Sequence, residues 1–191
     1  YIEQIRILLR LELPLEAEKQ LKAARKATAF IDNTNSKILY LLEGQILSEL
    51  GDLDNAIRAY DQYLDAKGAA SDTVNLHRAR LLEQVGRPNE AEQSYDAVLA
   101  SQAVTKPDLE AALLGSGLLF ENQERYKDAI SRYQKLYASS IWTSDKTIAL
   151  YRIGLIQNAA GNFRAAQSAW LNLIGDYPWH WRAGETYEKM L

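Results

Sequence analysis

The chain has 191 residues, a formal charge of −3 at pH 7, and 47% hydrophobic against 25% charged residues. Its 22 basic residues are interspersed among 25 acidic ones, which argues against nucleic-acid binding because a phosphate-binding surface needs a basic excess. The absence of cysteine excludes disulfides, zinc–thiolate sites and thiol nucleophiles. The longest apolar runs are too short for membrane insertion. Strong helix formers dominate and only four prolines occur, so the composition predicts an all-α protein.

One short pattern, centred on an alanine, recurs five times with spacings of 39, 35, 38 and 37 residues. The alanines are Ala17, Ala56, Ala91, Ala129 and Ala166. A large residue follows each alanine by four positions, and these residues are Leu21, Tyr60, Tyr95, Tyr133 and Trp170. A small residue precedes four of the alanines by twelve positions: Gly44, Ala79, Gly117 and Gly154. The first copy departs from this with Ile5.

These residue types suit two helices packed closely side by side. A small residue on the first helix lets the second helix approach, and the large residue fills the space between neighbouring pairs. Gly51, Gly86 and Gly161 stand five residues before their alanines, where a left-handed residue commonly ends a helix. Glu124 takes that position in the fourth copy.

The pattern predicts five antiparallel helix pairs over residues 1–178. We place the helices at 1–12 and 14–30, 36–50 and 53–66, 72–85 and 88–101, 107–122 and 126–139, and 144–160 and 163–175. Residues 179–191 should form one more helix, which either caps the array or begins a sixth pair. Prolines 14, 88 and 107 suit first turns of helices. The candidate N-caps are Ser36, Asp52, Asp72, Ser144 and Asn162.

This register resembles the tetratricopeptide-repeat family, whose period is about 34 residues, over nearly the whole chain. The resemblance implies a right-handed α-α superhelix, or solenoid, of antiparallel helix pairs. It also implies an interaction scaffold that binds a protein or peptide partner on its concave face. The chain begins at Tyr1 inside a predicted helix, so we expect it to be part of a longer protein.

In that family the first helix of each pair lines the concave face, and its inward positions lie 15, 11, 8 and 7 residues before the alanine. In the second pair these are Leu41, Gln45, Ser48 and Glu49. In later pairs they include the polar residues Glu83 and Glu121. The predicted partner contacts are Gln45, Glu49, Leu76, Arg80, Leu114, Leu118, Tyr151 and Leu155. Such a lining suits an apolar helix or extended segment. The alternative is that the leucines pack only on adjacent helices and bind nothing.

No catalytic or metal-binding constellation is evident in the sequence. The two histidines, His77 and His180, lie in different repeats, and no phosphate loop, HExxH motif or nucleophile elbow occurs. We therefore predict a protein that is not an enzyme and takes no cofactor.

Four aromatic residues, Trp142, Trp179, Trp181 and Tyr187, have no role in the repeat. Trp179 and Trp181 either cover the flank of the last pair or contact a further domain of the same chain. The stretch from Phe163 to Pro178 is similar to bacterial envelope tetratricopeptide proteins, which leaves both the envelope and the cytoplasm open. An alternative function is therefore a non-catalytic superhelical domain of a multidomain envelope protein such as a lytic transglycosylase. A third is a structural spacer.

Overall fold

A computed structural model describes residues 1–27 and 33–190. The described residues form eleven α-helices and no strand, which confirms the all-α prediction. The helices are α1 (Ile2–Arg10), α2 (Pro14–Ala27), α3 (Asn33–Glu49), α4 (Leu53–Asp65), α5 (Ser71–Gln84), α6 (Pro88–Ala100), α7 (Lys106–Asn122), α8 (Tyr126–Ser139), α9 (Thr143–Ala159), α10 (Phe163–Asp176) and α11 (Trp181–Met190). The predicted helical residues 28–30 and residue 191 lie outside the described part.

The helices fall into two compact units, Tyr1–Val98 and Leu99–Leu191, called unit one and unit two below. In unit one, α1 packs on α2, α2 on α3, α3 on α4 and α4 on α5. In unit two, α7 packs on α8, α8 on α9, α9 on α10 and α10 on α11. First helices also touch one another, as α1 touches α3 and α7 touches α9, and α9 touches α11 as well. Each unit is therefore a stack of neighbouring helices in chain order.

In the second, fourth and fifth pairs, the glycine of the first helix lies against the aromatic residue of the second helix. A Cβ added to Gly117 would lie 2.6 Å from a ring carbon of Tyr133, and Cβ atoms on Gly44 and Gly154 would overlap the rings of Tyr60 and Trp170. These rings are almost fully buried. The glycines thus admit a ring into the space where a side chain would otherwise stand.

The turn between the two helices of a pair uses a left-handed residue. Gly51, Gly86 and Gly161 have φ angles of 79°, 73° and 74°. The fourth and first copies adopt the same conformation with Glu124 and Glu12, at φ angles of 58° and 56°. A non-glycine residue accepts this conformation at a cost of roughly 1–3 kcal/mol, which the packed pair around it offsets.

Several N-cap predictions are wrong. Ser36 lies inside α3, while Asp72 and Ser144 are each the second residue of their helix. Asp52 and Asn162 do stand at N-cap positions, but neither side chain makes a capping hydrogen bond. Thr105 caps α7 by accepting from the backbone N–H of Asp108 at 3.3 Å, and the His180 ring, directly before α11, accepts from the backbone N–H of Arg182 at 3.2 Å.

Each unit has its own apolar core. In unit one, a cluster built on Ile5, Leu21, Leu39 and Ile46 joins the first three helices. In unit two, Leu113, Phe120, Tyr133, Leu136 and Ile156 form the main cluster. A smaller cluster joins Leu150 and Leu173 to Ala183 of α11, which attaches the last helix to the stack.

We expect Gly117→Ala to lower the free energy of unfolding by about 1–3 kcal/mol, because the added methyl group overlaps the buried ring of Tyr133. Gly175→Ala in α10 is the matched control, since a Cβ there meets open space and alanine favours a helix. Urea denaturation of both variants checks this. Equal stability of the two variants would contradict the close contact.

Candidate functional site

The first helices of unit one border an open cleft of about 480 Å³. One wall is α1 and the other is α3, with one side chain each from α4 and α5 completing the lining. The lining residues are Arg6, Leu9, Arg10, Ile38, Leu41, Leu42, Gln45, Ser48, Glu49, Tyr60 and His77.

All four inward positions predicted for the second pair line this cleft: Leu41, Gln45, Ser48 and Glu49. Their spacing of i, i+4, i+7 and i+8 places them on one stripe of α3. The same four offsets counted back from Ala17 give Ile2, Arg6, Leu9 and Arg10, of which the last three form the α1 wall. Sequence reasoning missed these three residues because it applied the offsets only to the later copies.

The cleft has an apolar floor and charged walls. Leu9, Ile38 and Leu42 provide apolar surface between α1 and α3. On the α1 wall, Arg6 forms a surface ion pair with Glu3 at 2.7 Å. On the opposite wall, burial and the nearby Glu12 carboxylate raise the pKa of Glu49. The site therefore offers aliphatic contacts flanked by charges of both signs.

An aromatic stack closes one end of the cleft. The rings of Tyr60 and His77 lie 6.2 Å apart between centroids and are inclined by 25°. Burial, together with the Glu49 carboxylate, raises the pKa of Tyr60 to about 12. His77 thus packs on the repeat tyrosine of the preceding pair, which is a structural role at the edge of the cleft.

The two other predicted contacts of unit one differ in exposure. Leu76 is only 5% exposed and packs in the interior of the unit. Arg80, one turn further along α5, is exposed. Of this pair, Arg80 alone presents its side chain to solvent.

In unit two, the predicted contacts Leu114, Leu118, Tyr151 and Leu155 are all half-buried on α7 and α9. Leu114 packs against the main core cluster of the unit. The hydroxyl of Tyr151 donates to a Glu185 carboxylate oxygen of α11 at 2.7 Å. Burial and this bond raise the pKa of Tyr151 to about 12. All three leucines thus leave part of their aliphatic surface open, and Leu114 is the one that also packs against the main core cluster.

The predicted polar edge is largely occupied by bonds within the chain. Glu83 accepts a hydrogen bond from the Tyr95 hydroxyl at 2.6 Å. Glu121 accepts one from the Tyr133 hydroxyl at 2.8 Å and another from the Arg152 guanidinium at 3.1 Å. Each glutamate precedes its tyrosine by twelve residues, a recurrence that could have been found in the sequence.

The tryptophans without a repeat role are exposed. Trp179 is 76% exposed and Trp181 is 65% exposed, so the last pair does not bury them. The Arg182 guanidinium lies 4.4 Å from the centroid of the Trp181 ring. Trp142 is also exposed, in the segment between α8 and α9.

Within the described ranges, no group of three or more histidine, cysteine, aspartate or glutamate residues is placed to hold a metal ion. His77 belongs to unit one and His180 to unit two. Among the described helices, none combines the length and apolar character that crossing a membrane requires.

The chain belongs to the tetratricopeptide-repeat family. One tetratricopeptide-repeat profile matches residues 2–71 and 76–144, and a second matches residues 148–178. Members of this family are typically non-catalytic scaffolds that bind proteins or peptides. No curated protein sequence matches the chain.

Solved structures with the same fold cover nearly the whole chain. A tetratricopeptide repeat protein from Parabacteroides merdae has a TM-score of 0.76 and 23% identity, over 99% of this chain and 70% of its own. BtubC from P. vanneervenii has a TM-score of 0.74 and 18% identity, over 99% and 80%. MamA from Desulfovibrio magneticus has a TM-score of 0.70 and 18% identity, over 91% and 90%. These similarities establish the fold.

We expect stability to fall as pH rises from about 10 to about 12. In the folded protein the pKa of Tyr60 is about 12, against 10.0 for an unperturbed tyrosine, so the unfolded chain loses this proton first. The stabilisation that comes from the protonated Tyr60 hydroxyl is complete below pH 10. It disappears as the pH rises past the pKa that this hydroxyl has in the folded protein. Urea denaturation across this range checks the prediction, and Tyr60→Phe should make the dependence shallower, while the raised pKa of Tyr151 keeps part of it. A flat wild-type profile would contradict the buried phenol.

Proposed function

We propose that this chain is a scaffold that binds a protein or peptide partner along the first helices of its pairs, and that the partner's main contact in unit one is the α1–α3 cleft. The observation that carries the proposal is the cleft lining. Four positions predicted as inward from the repeat register border one open cavity, and three more come from the first copy by the same rule.

The chemistry of the cleft favours a segment with aliphatic or aromatic side chains along one face. Leu9, Ile38 and Leu41 offer apolar surface for such side chains. Gln45 and Ser48 supply hydrogen-bonding groups beside this surface and fix the orientation of the segment. A helix with one apolar stripe meets both requirements.

We further propose that Leu118 and Leu155 provide a second contact surface in unit two, with Leu114 and Tyr151 supporting it. The half-burial of these residues on α7 and α9 supports this assignment. In unit one, the exposed Glu49 and Arg80 and the half-buried Gln45 supply the polar contacts, and Leu76 acts by holding α5 in place.

We also propose that α11 is the first helix of a sixth pair. Arg182 and Gly184 repeat the order of Arg152 and Gly154 thirty residues earlier. Ala183 and Thr186 face the stack, while a Cβ on Gly184 would meet open space. In α9 the corresponding glycine faces the ring of Trp170, so the face of α11 that would receive a second helix is open.

Leu41→Asp should reduce recovery of the native partner by about tenfold or more, because it places a charge on the apolar contact surface. The variant is immobilised beside wild type, exposed to extract of the native host, and the recovered proteins are quantified by mass spectrometry. Leu118→Asp tests the unit-two surface in the same way.

The control is Leu171→Asp, which places the same charge on an exposed leucine of α10. Circular dichroism must show equal helix content in all variants. If Leu41→Asp and Leu171→Asp recover the same partner as well as wild type does, the cleft is not the binding site.

A further inference from the structure

The repeat tyrosine of the second pair lacks the hydrogen bond that its counterparts make. In the fourth pair the Tyr133 hydroxyl donates to Glu121, twelve residues earlier, and the third pair has the same bond. Twelve residues before Tyr60 stands Ser48 instead of a glutamate. No hydrogen bond joins Tyr60 to another residue of the described part of the chain.

The Tyr60 hydroxyl nevertheless opens into the cleft. The residue is only 2% exposed, so its ring packs in the interior. Within the described ranges, the side-chain oxygen that is both buried and unbonded belongs to Glu110, not to Tyr60. The Tyr60 hydroxyl therefore reaches the surface where Tyr60 lines the cleft. A hydroxyl that faces a cleft without a partner can bond a group of a ligand.

Acidic groups surround this hydroxyl. Burial and the Glu49 carboxylate raise the pKa of Tyr60, while burial and the Glu12 carboxylate raise the pKa of Glu49. Neither carboxylate forms an ion pair with another described residue. The Asp52 carboxylate, three residues after Glu49, accepts from the Asn55 amide at 2.8 Å, which leaves its charge in place.

No described basic residue offsets these carboxylates. In the third pair, burial raises the pKa of Tyr95 and the nearby Arg80 guanidinium lowers it. No described cation acts in this way on Glu49 or Tyr60, although both arginines of the α1 wall line the same cleft. This part of the cleft is therefore negative, which favours a cation. We call it the acidic end of the cleft, and define it by Glu12, Ser48, Glu49 and Tyr60.

The fourth pair shows how the chain itself completes such an arrangement. There the Arg152 guanidinium, from the first helix of the next pair, donates to Glu121 at 3.1 Å. Arg152 stands fourteen residues before its repeat alanine, and the same position in the third pair holds His77. The His77 ring stacks on the Tyr60 ring. The second pair thus combines a tyrosine with a carboxylate but has no arginine at the position that supplies one to the fourth pair.

We propose that the partner segment presents a lysine or arginine side chain to the acidic end of the cleft. The cation donates to the Glu49 carboxylate and to the hydroxyl oxygen of Tyr60, and Glu12 adds electrostatic attraction. Leu41 precedes Glu49 by eight residues, about 12 Å along α3, so the basic residue of a helical partner lies about two turns from the side chain that contacts Leu41. This inference rests on the function proposed for the cleft and adds the charge of its partner.

A phage-displayed library of helical peptides, with a fixed leucine stripe and random residues elsewhere, tests the proposal. Selected peptides are retained if Leu41→Asp weakens their binding by about tenfold or more, because these occupy the cleft. The retained peptides should be enriched in lysine or arginine about two turns from a leucine of the stripe. Selection on Glu49→Gln should keep peptides that bind the cleft and lose this enrichment.

A double-mutant cycle measures the contact itself. In the tightest retained peptide the basic residue is replaced by norleucine, which keeps an aliphatic chain and removes the charge. Fluorescence anisotropy should show a loss of about tenfold with wild type and of less than about twofold with Glu49→Gln. Asp65→Asn is the matched control, because it removes an exposed carboxylate at the other end of α4, outside the cleft lining. It should show the full wild-type loss.

Tyr60→Phe tests the hydroxyl separately. It should weaken binding of the basic peptide by about threefold to tenfold and leave binding of the norleucine peptide unchanged. Tyr133→Phe is its control, since it removes a repeat tyrosine hydroxyl that is bonded within unit two, and it should change neither affinity. Circular dichroism must show equal helix content in all variants.

The outcomes separate this inference from the function on which it rests. If no selected peptide responds to Leu41→Asp, both are wrong. If peptides occupy the cleft without enrichment of basic residues, the inference alone is overturned. Equal norleucine losses with wild type and Glu49→Gln overturn it as well, and so does an Asp65→Asn variant that behaves as Glu49→Gln does. Unchanged binding of the basic peptide by Tyr60→Phe contradicts the assigned contact.

Discussion

The packing of an aromatic ring directly against a glycine backbone is the contact on which these helix pairs depend. In three pairs a glycine of the first helix lies under the aromatic residue of the second helix: Gly44 under Tyr60, Gly117 under Tyr133, and Gly154 under Trp170. The ring needs the space that a Cβ would take, so the two helices have one favourable register. Because that register is fixed, the faces that each first helix turns outward are fixed as well. The stripe Leu41, Gln45 and Ser48 borders the cleft for this reason.

The same packing decides which polar groups remain available to a partner. The hydroxyls of Tyr95 and Tyr133 reach glutamates one helix away, and Arg152 adds a second bond to Glu121. A buried tyrosine hydroxyl needs a partner, and a charge-assisted bond is among the stronger ones available. The second pair has Ser48 where Glu83 and Glu121 stand in the third and fourth. This difference leaves the Glu49 end of the cleft open and polar.

The repeat register was predictable from the sequence because it rests on a few residue types at fixed spacing. The alanines, the glycine turns and the inward stripe of α3 all follow from it. The exposure of a side chain does not follow from the register. Leu41 and Leu76 stand at the same distance before their repeat alanines, yet Leu41 borders the cleft and Leu76 is buried. Burial depends on side chains of neighbouring helices, which an offset does not encode. The N-cap predictions were wrong for a similar reason. Ser36, Asp72 and Ser144 were predicted from their residue type, but their helices begin earlier in the chain.

The contact between glycine and ring can be measured directly by proton NMR, because protons above an aromatic face are shifted upfield by the ring current. The Hα resonances of Gly44, Gly117 and Gly154 should lie clearly upfield of those of Gly175 and Gly184, which face open space. Substitution of Tyr60 by leucine should return the Gly44 resonances towards the ordinary glycine position and leave those of Gly117 unchanged. Equal Hα shifts for all five glycines would contradict the packing on which the cleft and its lining residues depend.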